Sequence, residues 1–125
     1  MKIAVLVSRI LLGLIFLVFG LNGFLNFLHM PMPPGPAGQY IGVLFVSHYL
    51  VVVLLLEIVG GALLLSGQFI PLALVLLGPV VFNILLFHAF LFPAGFPPAL
   101  LAAVLWFIIF FGVRHAFDGI FVQKV

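Results

Sequence analysis

The chain has 125 residues, 67% of them hydrophobic and 5% charged, with a mean hydropathy of +1.57. A soluble domain of this size leaves too much surface in water to hide so many apolar side chains, so composition excludes that class and points to an integral protein of a lipid bilayer. The net charge of +2 rests on four scattered cations, which implies neither a nucleic-acid partner nor a polybasic lipid patch, and the absence of cysteine excludes disulfides, thiolate chemistry and cysteine-held iron–sulfur clusters.

Apolar runs of bilayer-crossing length predict one all-α domain over 1–125, a four-helix transmembrane bundle with helices at about 3–28, 47–66, 71–91 and 98–117. The first run begins near Lys2 and continues past Ile10 without an A-x-A-like site, which argues against a cleaved signal peptide. At about 100° per residue, Asn22, Asn26 and His29 share a narrow arc that Ser8 and Ile15 extend. Amides facing lipid would lack partners, so this stripe is expected to face other helices, as interhelical glue or as a ligand surface.

Residues 31–38, PMPPGPAG, carry four prolines and are expected to form a stiff non-helical loop. The apolar stretch 39–47 suits either a short interfacial helix or an extension of the second span. That span, the helix at about 47–66 in the apolar stretch Tyr49 to Gly67, closes on Gly67, a residue suited to a helix C-terminus. Pro71 opens the third helix, and Pro79 inside it removes a bond to the Val75 carbonyl and predicts a kink. PAGFPP at 93–98 forms the second outer turn, and Ala99, Ala103 and Trp106 share a face of the fourth helix.

Lys2, Arg9, Arg114 and Lys124 lie near the two ends of the chain, whereas loops 29–47 and 92–97 contain neither Lys nor Arg. The positive-inside rule therefore predicts both termini in the cytoplasm and both proline-rich loops outside.

The residue hardest to accommodate is Glu57, one of two acidic residues, in the middle of the second span. A charge at that depth costs at least ~2.5 kcal/mol, so the side chain is expected either to be protonated or to face inward to polar partners. Counting helical rise from the cytoplasmic ends places Asn22 and Asn83 at ~20 Å depth and Glu57 at ~14 Å, which overlap once side-chain reach is allowed. A polar cluster of Glu57, Asn22 and Asn83 follows, with Tyr49 or Asn26 above it. Gly60 and Gly61, one turn on, would let a neighbouring helix close over the carboxylate. Arg9 is a competing charge partner for Glu57, or else it snorkels to the inner headgroups. A metal site is not expected. His29, His48 and His88 fall toward the outer side without i,i+4 spacing or a nearby carboxylate, and read as interfacial histidines. Arg114 and Asp118, four apart, are expected to pair at the surface.

The run Arg9-Ile-Leu-Leu-Gly-Leu-Ile-Phe, followed by Phe19-Gly-Leu-Asn-Gly-Phe, resembles the first helix of the DoxX family of small bacterial membrane proteins. Glu57-Ile-Val-Gly-Gly-Ala-Leu-Leu-Leu-Ser-Gly resembles that family's second-helix signature, Pro79 to His88 its third helix, and Leu28 to Pro34 its proline-rich loop. Many relatives have a lysine about three residues after the glycine of the first helix, where this chain has Gly23. The resemblance implies a four-helix bundle of the bacterial inner membrane. Some relatives are linked to thiosulfate:quinone oxidoreduction or to membrane complexes of oxidative stress. With the lysine absent, Asn22, Asn83 or Arg9 is left to hold Glu57.

Two readings of function follow. In the first, the chain is a small membrane subunit that binds quinone or another apolar ligand and supports a partner oxidoreductase, since it has neither thiols nor evident cofactor ligands to act as an enzyme on its own. In the second, it is a non-enzymatic scaffold or lipid-binding module in which Glu57 holds the helices together. Proton-coupled transport is disfavoured because no second intramembrane acid is present to relay a proton. The sequence leaves a homo-oligomer open.

Overall fold

A computed structural model describes residues 2–123. The described residues form five α-helices: α1 (Lys2–Leu25), α2 (Gly35–Val46), α3 (Tyr49–Ser66), α4 (Ile70–Phe90) and α5 (Phe96–Gly112). Short 3-10 turns at Pro93–Gly95 and Arg114–Phe117 flank α5, and no strand occurs among the described residues. Four segments are long and apolar enough to cross a bilayer: α1, α3, α4 and Pro93–Gly112, which joins the first 3-10 turn to α5.

The four spans form a ring. α1 packs on α3 and α5, and α4 packs on the same two. The turns between successive spans make neighbours antiparallel, so Lys2, Arg9 and Arg114 gather at one end of the bundle, while Lys124 lies outside the described residues. Leu12, Phe16, Leu64, Leu74, Leu77 and Ile109 fill the centre with at most 1% exposure. Outward-facing Val75, Leu101 and Phe107 are each more than half exposed, as the lipid-facing side of a span requires.

The closest packing is between α1 and α3. A Cβ at Gly61 would lie 2.8 Å from the Gly13 carbonyl oxygen and from the Leu17 backbone nitrogen, so the two backbones touch with no side chain between them. Across the ring, α5 anchors to α4 through Trp106, whose Nε1–H donates to the Leu74 carbonyl at 3.1 Å. Its indole stacks on Phe110 with centroids 5.5 Å apart. α4 runs as one helix through Pro79, and the carbonyl that gains an outside donor is Leu74 rather than Val75.

Several boundaries differ from those expected, each for a local reason. α1 stops at Leu25 instead of running to 28, because Asn26 turns into the left-handed region at φ 51°. There the Leu28 N–H donates to Asn22 Oδ1 at 2.6 Å, and Asn22 Nδ2 donates back to the Leu28 carbonyl at 3.2 Å. Residues 35–38, expected to be loop, form the first turn of α2, since Pro36 sits where a missing N–H costs nothing. Of the stretch 39–47, all but Ser47 belongs to a separate helix, cut off from α3 at His48 by a φ of 65°. Twelve residues are too few to cross a bilayer. The last span ends at Gly112 rather than 117. Beyond it Asp118 pairs with His115 at 3.7 Å, while Arg114 turns back to the Phe111 carbonyl at 2.7 Å, so the expected Arg114–Asp118 pair does not form.

Candidate functional site

The groove between α3 and α4 holds a cavity of about 470 Å³. α3 supplies Tyr49, Val53, Leu56 and Glu57, and α4 supplies Pro79, Asn83, Ile84 and Phe87. α2 covers one end with Tyr40, Ile41 and Leu44. Tyr49 and Glu57 are eight residues apart on one helix, so the cavity extends about 12 Å along α3. Its wall is apolar apart from one carboxyl, one amide and two phenols.

Each polar group there is positioned by backbone chemistry. Glu57 follows from the position of α1: a Cβ at Gly20 would lie 3.2 Å from the Glu57 Cβ, so α1 presses on the base of the side chain while the side chain itself lines the cavity. Its carboxyl group has no hydrogen-bond partner among the described residues. Asn83 is held by its own helix, with Nδ2 donating to the Pro79 carbonyl at 3.0 Å. That bond leaves Oδ1 and one amide hydrogen free for a guest. At the covered end, the Tyr40 ring rests against Phe87 with centroids 5.7 Å apart.

Of the residues anticipated from sequence, Glu57, Asn83 and Tyr49 line this single cavity. Asn22 and Asn26 do not. Asn22 is buried, but its amide is taken up on both sides by Leu28, which fixes the chain reversal after α1. Asn26 lies past the end of α1, exposed, in the left-handed turn. The stripe Ser8–Ile15–Asn22–Asn26–His29 therefore breaks at Leu25, because residues beyond the helix no longer follow its periodicity. Arg9 is not paired with Glu57. Its guanidinium lies against Gly67, ten residues and about 15 Å farther along α3.

Tyr40 is the residue that sequence reasoning passed over. The signal was there in Ala37, Tyr40, Ile41 and Leu44, an i, i+3, i+4, i+7 stripe, but reading 31–38 as loop cut Ala37 from it and left the facing of 39–47 undefined. Ala37, fully buried, marks where that stripe meets the bundle. No group of three potential metal ligands converges among the described residues. His88 places Nδ1 3.0 Å from the Ile84 carbonyl and its ring edge-on to Phe87.

The fold and the cleft define an all-helical bundle with four candidate membrane spans among the described residues and an amphipathic cavity between α3 and α4. Compared with family models, curated proteins and solved structures, the chain matches none of them.

Proposed function

We propose that the chain is a small multi-pass subunit of a bacterial inner membrane, with both termini cytoplasmic, that binds quinone or another apolar ligand in the α3–α4 cleft and supports a partner oxidoreductase. The observation that carries this reading is the cleft itself: about 470 Å³, within the usual range of small-molecule sites, with Glu57 and Asn83 set in an apolar wall. An apolar ligand body lies along Val53, Leu56 and Ile84, and its oxygen meets the carboxyl and amide. A protonated Glu57 donates to a quinone carbonyl, and the ionised form accepts from a quinol hydroxyl. The carboxyl group's lack of a partner among the described residues supports a ligand role over interhelical glue, which would require it to be bonded across the helices.

The DoxX resemblance supports the bacterial membrane and the redox partner, and the cations Lys2, Arg9 and Arg114 at one end of the bundle support cytoplasmic termini. The test is extraction. Protein purified in mild detergent is expected to retain quinone, detected by its ultraviolet spectrum and mass, and Glu57→Gln is expected to lower the retained fraction several-fold. Wild-type protein that retains none, and takes up none when quinone is added, refutes the reading.

A further inference from the structure

At the opposite end of the bundle from α2, a second cavity of about 330 Å³ is lined by Lys2, Val5, Leu6 and Arg9 of α1 and by Gly112 of α5. Lys2 and Arg9 are seven residues apart, so they share a face of α1 with about 10 Å between their positions along the axis. The Arg9 guanidinium is pinned at one side: its Nη1 lies 2.7 Å from where a Cβ at Gly67 would be. Its Nε is buried and has no hydrogen-bond partner among the described residues.

This cation has no counter-charge among the described residues. Of the two acidic residues, Glu57 lines the other cavity and Asp118 pairs with His115. The carbonyl end of α3 at Gly67 offers partial negative charge, and because the Nε–H is closed off from the cavity an incoming anion meets the guanidinium through its terminal nitrogens. Arg9 lies about 10 Å along α1 from Lys2, within a candidate span, where an uncompensated guanidinium is costly and calls for an anion.

We infer that Lys2 and Arg9 form a phosphate-binding site, and that the phosphate it takes is the headgroup diester of an anionic phospholipid. The guanidinium fork matches two phosphate oxygens, while Lys2 adds a point charge at the mouth. Val5 and Leu6 provide an apolar floor that a glycerol backbone tolerates and a free hydrated ion does not favour. A zwitterionic headgroup would bring an ammonium into a cavity that already holds two cations, so the site is selective for lipids without one. The site is separate from the α3–α4 cleft and does not depend on what that cleft binds.

The experiment is native mass spectrometry of the full chain in detergent, titrated separately with phosphatidylglycerol, phosphatidylcholine and inorganic phosphate. The wild type is expected to bind phosphatidylglycerol about tenfold more tightly than phosphatidylcholine. Arg9→Gln is expected to abolish that preference, Arg9→Lys to keep part of it, and Arg114→Gln, whose side chain is turned to Phe111, to leave it intact. Displacement of phosphatidylglycerol by inorganic phosphate in the wild type, absent in Arg9→Gln, supports the phosphate site and assigns its source to the free ion. Equal binding of the two lipids by the wild type overturns the proposal. So does a preference lost as readily in Arg114→Gln as in Arg9→Gln, which would indicate general surface charge. If Arg9→Gln does not fold, Lys2→Gln decides: Lys2 is exposed at the start of α1, and an unchanged preference in that variant refutes the site.

Discussion

α3 has two unlike sides. Toward α1 it presents Gly61 to Gly13, and the backbones meet with no space for a methyl group. Toward α4 it presents Val53, Leu56 and Glu57 to a cleft of about 470 Å³. Both sides belong to one apolar helix, yet one is sealed and the other open. The difference comes from side-chain size. Glycine lets two helices approach until dispersion between backbones holds them, whereas Val53, Leu56 and Glu57 stand along the open stretch beside α4. A carboxyl in the sealed seam would have neither room nor a partner. In the cleft it has room and waits for one.

The contrast is broken most severely by adding bulk to the seam. In Gly61→Val the new Cβ would lie 2.8 Å from backbone atoms of α1, which cannot rotate away as a side chain would. The expected loss is at least about 3 kcal/mol, enough to abolish the folded fraction of a marginal bundle, read by denaturant unfolding in detergent. Next comes the clasp beside the seam. Asn22→Ala removes both bonds to Leu28 and is expected to cost about 1–2 kcal/mol, with faster amide exchange at 26–29 and no change in ligand retention. Trp106→Phe keeps the ring but removes the donor to Leu74, and is expected to cost about 1 kcal/mol in the same assay.

The spans were legible in the sequence because hydrocarbon thickness and apolar run length fix them with little help from tertiary contacts. Glu57 also stands out against the apolar run around it, and it lines the cleft. Its surroundings were only partly legible. Asn83 and Tyr49 line the same cavity, since their helical spacing carries through to the structure. Asn22 was drawn into the cluster by its depth along α1, and Asn26 by a periodicity that ends at Leu25. Nothing local announces that end except the structure's own bonding of Asn22 to Leu28. Tyr40 was missed because 39–47 was left open between a separate helix and an extension of the second span, so the face it turns to the bundle was undefined. Arg9 could be assigned a reach but not a direction. Its place at Gly67 depends on how α1 crosses α3, which the glycines permit but do not spell out.

The smallest effect on stability is expected in the cleft, and there the comparison becomes most informative. Glu57 has no hydrogen-bond partner among the described residues, so Glu57→Gln removes no bond that holds the bundle, and unfolding should shift by no more than about 0.5 kcal/mol. Ligand retention should still fall, because an amide cannot accept a quinol proton as a carboxylate does. A companion variant, Val53→Trp, fills the cleft from the same face of α3 without altering the carboxyl. It is expected to reduce retention further while leaving the fold in place. If both variants unfold as readily as Gly61→Val, the groove is as structural as the seam. The carboxyl group would then be holding helices together, and the scaffold reading of the chain would replace the ligand-binding one.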